Sequence, residues 1–240
     1  MSMMLENLIT TSSHEWSPRS FLANLNSSQL ETFTGAGRFQ QFGSGELLIE
    51  EGGSDTSVHI LLNPAVKITA AMPDGGEALL AVRVAGDIVG ELAALDGQPR
   101  LASVRSCARG ELDVLTLPGP TFRELLAKDG PVALWLSNSV SAKLRAATRR
   151  RIDYTGFDSH VRLARVLLEL AEDHGYRPRS KELVIGVNLT QVELGTLVGV
   201  AEATAQRGLR RLREEGLVLT DGRRPIIRDL EGLQQVAGQV

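Results

Sequence analysis

The spacing of apolar residues changes character along this chain, and each change predicts a different kind of element. In "SPRSFLANLNSSQLETFTGAG", residues 17–37, Phe21, Leu22, Leu25 and Leu30 recur at helical intervals. They predict a short amphipathic helix in which Ser27 or Ser28 caps a second turn. From about Arg38 to Leu117 the texture shortens to the runs "ELLIE", "VHILL", "AVKITAA", "ALLAVRV", "DIVGEL", "ASVRSC" and "LDVLTL". Between them stand "GSGE", "EGGSD", "PDGGE", "VAGD", "DGQP", "ARGE" and "LPGP". Short strands at regular spacing with such turns predict a β-sandwich or barrel. "GELAALDGQPRLA", residues 90–102, reads as leaving one strand and entering another.

Helical spacing then returns. "GPTFRELLAKDG" predicts a short helix with Pro120 near its start. "GPVALWLSNSVSAKLRAATRRRIDYTG" predicts a long one, with Pro131 in its first turn and Gly156 at its end. Val140, Leu144, Ala147, Arg151 and Tyr154 repeat at alternating intervals of four and three, the spacing of a coiled-coil seam. Val132, Leu134, Trp135 and Leu136 lie off that seam and are expected to cover the barrel. "DSHVRLARVLLELAEDHG" predicts another helix, with Asp158 as cap, Leu163, Val166, Leu167 and Leu170 as its stripe, and Gly175 as its stop. "YRPRSKELVIGVN" reads as a loop entering a strand.

The richest pattern is "NLTQVELGTLVGVAEATAQRGLRRLREEGLV". Thr190 and Glu193 have capping-box spacing. Leu194, Leu197 and Val198 form an inner face, Gly195 admits a neighbouring helix, and Gly199 suits a tight turn. A second helix over residues 202–215 turns Leu209 and Leu212 inward and carries Arg207, Arg210, Arg211 and Arg213. This is helix-turn-helix spacing. Beyond it, two β runs around Asp221-Gly222 predict a hairpin bearing Arg223 and Arg224, a basic wing. Two residues fit less well: Gly208 costs ~1 kcal/mol in a helix interior, and Ala201 stands where a capping side chain is preferred.

Charge supports a division into two modules. The 240 residues have a net charge of −3, but residues 1–139 carry −7 and residues 140–240 carry +4. An acidic front and a basic back point to polyanion binding at the back. Cys107 is the only cysteine, read as a small strand residue, so no internal disulfide or cysteine-ligated metal cluster is expected. His14, His59, His160 and His174 are scattered, and no metal site is expected. No apolar run reaches the ~20 residues of a membrane span, and the first residues lack the basic-then-apolar pattern of a secretory signal.

The chemistry of "GELAALDGQPRLA" concerns one acid and one arginine nine positions apart. Arginine presents a planar fork of donors suited to phosphate or carboxylate. Gly- and Ala-rich backbone lets N–H groups approach an anion closely. A carboxylate repels phosphate, so Glu91 suits a sugar hydroxyl, and with Arg100 it suits a sugar phosphate. The alternative is an ordinary "DGQP" turn with a surface salt bridge between Glu91 and Arg100.

From about residue 20 to 235, this order of parts resembles the CRP–FNR family of bacterial transcription regulators. The resemblance implies an α+β chain: a β jelly-roll, cyclic-nucleotide-binding sensor domain over residues 1–130, a long dimerisation helix over 131–157, and a winged helix-turn-helix over 158–240. "GELAALDGQPRLA" is similar to the family's phosphate-binding cassette. It implies a ligand site of Gly90, Glu91, Leu92, Arg100, Leu101 and Ala102, with Glu91 on the ribose hydroxyl and Arg100 on the cyclic phosphate. The N–H groups of Gly90, Leu101 and Ala102 complete the cradle. Leu101 replaces a hydroxyl residue common in cAMP-binding members, and Ala147-Thr148 stands where the cAMP receptor turns a Thr-Ser pair to adenine. The resemblance further implies an allosteric ligand, cAMP or cGMP, no other cofactor, and no catalytic activity. Its implied partners are double-stranded DNA, RNA polymerase and a second copy of the chain, paired through Val140, Leu144, Ala147 and Tyr154, in the cytoplasm and away from membranes.

On the DNA side the implied contacts are Thr190, Gln191, Glu202, Ala203, Thr204, Arg207, Arg223 and Arg224. Arg207 resembles the family's base-contacting arginine. Glu202-Ala203 replaces the Arg-Glu pair at the helix start, so Glu202 either accepts from cytosine N4 or complements the helix end. Two other readings remain open at this point. One is the same architecture with a degenerate pocket, binding DNA without a cyclic nucleotide. The other is a jelly-roll metalloenzyme of the cupin kind, which would need clustered metal ligands where His59 stands alone. The iron–sulfur branch of the family uses several cysteines and fits less well.

Overall fold

The computed structural model describes residues 16–63, 65–107, 110–176 and 182–238. It comprises two compact units, Met1–Ala142 and Lys143–Val240.

The first unit is a double-sheet roll. Strands β1 (Arg38–Phe42), β2 (Leu47–Ile49), β3 (Val58–Leu61), β4 (Val66–Ala71), β5 (Glu77–Arg83), β6 (Ile88–Val89), β7 (Ser103–Ser106) and β8 (Leu112–Leu117) form two antiparallel sheets. The sheet orders are β1-β8-β3-β6 and β2-β7-β4-β5, the jelly-roll arrangement the sequence led us to expect. Alternation along β3 and β8 explains the core. Val58, Ile60, Leu115 and Leu117 enter one buried cluster with Phe21, Phe33 and Phe122. Leu61, Leu112 and Val114 point the other way, into a cluster with Ile49, Val66, Val89 and Val104 between the sheets. β1 was not among the strand-like runs: "RFQQF" has too few apolar residues to signal a strand, and it is fixed by full pairing with β8.

The helices differ from expectation at three places. The helix expected over residues 17–37 is a 3-10 turn, Leu22–Asn24, followed by α1 (Ser27–Ala36). Its cap is Asn26, in a complete capping box with Gln29, rather than Ser27 or Ser28. The phosphate-cassette stretch, expected as turn between strands, contains α2 (Glu91–Asp96), framed by Gly90 and Gly97 at φ +83 and +69. A single apolar turn cannot be told from a strand by periodicity; α2 forms because Ala93 and Ala94 bury against α3 (Gly119–Lys128).

The long helix α4 runs from Gly130 to Gly156 as one element. Val132 and Leu136 are buried in the roll's core and Trp135 packs on it, but Leu134 is 64% exposed. Leu134 therefore does not cover the barrel: it is two positions out of phase with Val132 and Leu136 on the helix.

The second unit holds α5 (Ser159–His174), β9 (Gly175–Tyr176), β10 (Leu183–Ile185), α6 (Gln191–Leu197), α7 (Glu202–Glu214), β11 (Val218–Asp221), β12 (Arg224–Ile227) and α8 (Leu230–Val236). Asp158 occupies the cap position of α5, yet its side chain makes no capping bond. Gly175 follows α5 as its C-cap in extended backbone, its N–H donating to the Ala171 carbonyl, and it has to be glycine because a Cβ there would collide with that carbonyl. Much of the expected loop between β9 and β10, at 177–181, lies outside the described residues. The four strands form one sheet in the order β11-β12-β10-β9, and Gly222-Arg223 make the wing's tight turn. No helix among the described residues is long and apolar enough to cross a membrane.

Candidate ligand cradle and nucleic-acid interface

In the first unit, the cassette folds around a buried arginine. Glu91 and Arg100 are each only 5% exposed, which rules out the surface salt bridge between them. Arg100 Nη1 donates to the Gly90 carbonyl at 2.8 Å. Its Nη2 donates to the Ser57 carbonyl at 2.6 Å and to the Asp55 carboxylate at 2.8 Å. The backbone of Arg100 also pairs with the loop before β3, through Gly52 N–H to Arg100 C=O and Arg100 N–H to Gly53 C=O. Gly90 has to be glycine: its φ is +83, and a Cβ would lie 2.7 Å from Arg100 Nη1 and 2.9 Å from the Ser57 carbonyl.

The cradle's backbone is open. Among the described residues, the N–H groups of Gly90, Leu101 and Ala102 make no hydrogen bond to the protein. Backbone donors normally find partners unless water or a ligand supplies one. Three open donors therefore lie beside an arginine, the chemistry of an anion site. Leu92 is 38% and Leu101 71% exposed, so both border the cradle without entering the core. Ala147 and Thr148 are exposed on α4 and belong to the second unit.

Beside Arg100 lies a hollow of about 490 Å³ lined by Arg38, Gln40, Phe42, Asp55, Ser57, His59 and Thr116, among others. His59 Nδ1 and Thr116 Oγ1 are 2.9 Å apart. Burial, and next the Arg100 charge, lower the His59 pKa from 6.5 to about 4, against the opposing pull of Asp55. Asp55 itself is held below the usual carboxylate value. Burial opposes this, but hydrogen bonds from Arg100 and Ser57 outweigh it. No group of three or more His, Cys, Asp or Glu able to hold a metal occurs among the described residues.

On α4, Val140 is half-buried, Leu144 is 67% and Tyr154 42% exposed, and Ala147 is exposed. Tyr154 also engages its own second unit, donating to the Leu197 carbonyl at 3.2 Å and lying against Gly199. Neighbouring residues fasten the same end of α4: Arg150 pairs with Glu169 at 2.5 Å, and the buried Asp153 pairs with Arg165 at 2.6 Å.

The helix-turn-helix is built as its sequence suggests. Thr190 and Glu193 form the complete capping box, with N–H to oxygen distances of 2.7 and 3.1 Å. Gly199 turns at φ +67, and Gly195 leaves room for the Val200 carbonyl, 2.8 Å from where a Cβ would be. Gly208 is no defect: a Cβ there would strike Leu163 Cδ1, so the glycine lets α7 close on α5. The outer face of α7 is polar and exposed, with Glu202, Ala203, Gln206, Arg207 and Arg210. Arg210 and Arg211 pair with Glu214 and Glu215, while Arg207 Nη2 donates to the Thr204 hydroxyl at 3.0 Å. Gln191, at the first turn of α6, is half-buried; Arg223 is exposed, and half-buried Arg224 donates to Asn188 at 3.3 Å.

Two features escaped sequence reasoning. Gln206 shares the face of Glu202, which accepts its amide N–H at 3.4 Å, and the four-residue spacing could have flagged it. Asp55 is 45 residues from Arg100, and nothing local ties the two.

A jelly roll with an arginine-centred cradle, and a winged helix-turn-helix with an arginine-bearing second helix, together define a class of DNA-binding regulator built from a sensor-type roll and a winged helix-turn-helix. The comparisons agree. Residues 39–129 match the family model of the cyclic nucleotide-binding domain, and residues 161–236 match that of the Crp-like helix-turn-helix domain. The chain is 28% identical over 196 residues to the CRP-like cAMP-activated global transcriptional regulator of Mycobacterium tuberculosis, covering 82% of this chain and 86% of that one. It is 25% identical over 199 residues to the cAMP-activated global transcriptional regulator CRP of Salmonella typhimurium, covering 82% and 93%. A structure of the c-di-GMP responsive regulator CLP of Xanthomonas campestris shares the fold, with a TM-score of 0.70 at 20% identity, covering 85% of this chain and 100% of that one. The protein belongs to the CRP–FNR family of DNA-binding transcription regulators, a family without enzymatic activity.

Proposed function

We propose that the protein is a homodimeric transcription regulator whose DNA affinity is set by a cyclic nucleotide, cAMP in the first place. The observation that carries this reading is the buried Arg100 beside the open N–H groups of Gly90, Leu101 and Ala102. The cyclic phosphate accepts hydrogen bonds from Arg100 and these donors, and Glu91 accepts from a ribose hydroxyl. Leu92 borders the sugar, and Ala147 and Thr148 are assigned to the base. The names of the M. tuberculosis and S. typhimurium relatives, both cAMP-activated, support cAMP. Leu101, in place of a hydroxyl residue, supplies one phosphate donor fewer and leaves the backbone donors, while Ala147-Thr148 offers the base a single hydroxyl.

Two chains pair through the exposed seam of α4 at Val140, Leu144, Ala147 and Tyr154. The sensor domain (1–130), helix (131–157) and DNA-binding domain (158–240) divide the labour. A ligand shifts the DNA-binding state only by its differential affinity for that state. In each half-site α7 enters the major groove, with Arg207 on a guanine and Glu202 and Ala203 facing the neighbouring bases. Thr190, Gln191, Thr204, Arg223 and Arg224 position the helix at phosphates. At a promoter the bound dimer meets RNA polymerase.

Calorimetric titration with cAMP and cGMP tests the ligand, and selection of bound duplexes from a random pool tests the DNA. Binding of cAMP that is lost in Arg100→Leu, with a near-palindromic consensus favoured by the ligand, supports the reading. DNA binding with no response to either nucleotide would leave a regulator of the same architecture with a degenerate pocket.

A further inference from the structure

Arg100 already has an anion. The Asp55 carboxylate accepts from its Nη2 at 2.8 Å and is fixed there by Ser57, whose N–H and hydroxyl donate to it at 3.1 and 3.0 Å. The exposures of the pair are lopsided: the Arg100 side chain is 3% exposed and that of Asp55 69%. A buried cation is thus capped by an acid that faces solvent and can leave without being desolvated.

The charge balance makes departure favourable. With Asp55 in place, the Arg100 charge is already matched, and an arriving phosphate would share one guanidinium with a carboxylate. Like charges a few ångströms apart cannot both be held cheaply by one cation. Asp55 belongs to the loop that also pairs with the Arg100 backbone through Gly52 and Gly53, so it is delivered to the cradle by local architecture rather than by chance contact. Meanwhile the N–H groups of Gly90, Leu101 and Ala102 have no such resident anion among the described residues and wait for one.

We propose that Asp55 is the resident counter-ion of the cradle, a residue that sets ligand affinity and anion selectivity because a bound phosphate must displace it from Arg100. The inference rests on the ligand reading above. It adds that the site discriminates by charge. A singly charged cyclic phosphodiester displaces Asp55 at less cost than a doubly charged open monophosphate, which meets whatever repulsion Asp55 retains twice over. Asp55 and Ser57 both line the hollow beside His59, so Asp55 leaves Arg100 at the wall of that hollow.

The experiment is calorimetric titration of the full-length protein and its Asp55→Asn and Asp55→Ala variants with cAMP, cGMP and 5′-AMP. Glu31→Gln, an exposed carboxylate on α1, controls for net charge, and thermal melts confirm folding. Asp55→Asn should bind cAMP roughly threefold to tenfold more tightly than the unmodified protein, and its preference for cAMP over 5′-AMP should narrow. Glu31→Gln should change neither. Equal or weaker cAMP binding by both Asp55 variants would overturn the inference while leaving the ligand reading intact, and would make Asp55 a support for Arg100. If no nucleotide binds the unmodified protein but one binds Asp55→Asn, the counter-ion is confirmed as a block. If none binds any form, the ligand reading fails, and the inference fails with it.

Discussion

Thr204 props Arg207: the arginine's Nη2 donates to the threonine hydroxyl at 3.0 Å, one turn back on α7. The guanidinium is thereby held on the exposed face while its neighbours Arg210 and Arg211 are drawn to Glu214 and Glu215. Pre-orienting an arginine fork reduces what must be ordered when it meets a guanine edge. Arg207→Ala should cost about 1–3 kcal/mol of DNA binding and relax one position in each half-site. Thr204→Val should weaken binding by less, without relaxing that position. Fluorescence anisotropy and selection from random duplexes measure both, and an unchanged consensus in Arg207→Ala would refute the assignment.

Gly208→Ala separates packing from propensity. In an isolated helix the change is worth about 1 kcal/mol in favour of alanine. Here the new methyl meets Leu163, and overpacking of this kind costs about 1–3 kcal/mol. A lower midpoint in urea is expected. Combined with Leu163→Ala, the loss should be smaller than the sum of the single losses, and strict additivity would show that the two side chains do not meet.

His59 makes the roll sensitive to acid. Its folded pKa of about 4 lies below the 6.5 of the free side chain, so the unfolded chain binds a proton that the native one refuses. Stability from this group is complete above pH 6.5 and falls as the pH drops toward 4, by about 3 kcal/mol in all. Urea melts at pH 7.5, 5.5 and 4 should show the loss, and His59→Gln should flatten it between 6.5 and 4. An unaltered slope in that variant would assign the acid sensitivity elsewhere.

Leu144 exposes two-thirds of its surface on α4, so the chain itself gains little from its burial. Leu144→Asp should leave each chain folded by circular dichroism yet give monomers in light scattering, with DNA affinity lost in the same variant. A monodisperse monomer for the unmodified protein would remove the dimer from the proposal.

Arg100 does more in the folded chain than await a ligand. It joins Gly90, Ser57 and Asp55, so Arg100→Leu should abolish nucleotide binding and also lower the melting temperature. Glu91→Gln should weaken cAMP by less, because an amide oxygen still accepts from a ribose hydroxyl. Binding unchanged in Arg100→Leu would displace the cradle from this cassette.

The sequence by itself determined whatever rests on spacing within one element or one turn. The Thr190–Glu193 box, the Gly199 turn, the inward Leu209 and Leu212, the span of α4 and seven of the eight strand runs of the roll could all be read this way. Periodicity and capping chemistry are local, and residues three or four apart carry them. Tertiary structure decided the rest. Gly208 looked like a flaw until Leu163, 45 residues away, filled the space beside it. β1 has no strand pattern of its own and exists because β8 supplies its partners. α2 is too short to announce a period and is held by α3. Arg100 was legible as an anion's partner from its residue type, but not that Asp55 already occupies that place, because charge pairing across a fold depends on where two loops are brought together.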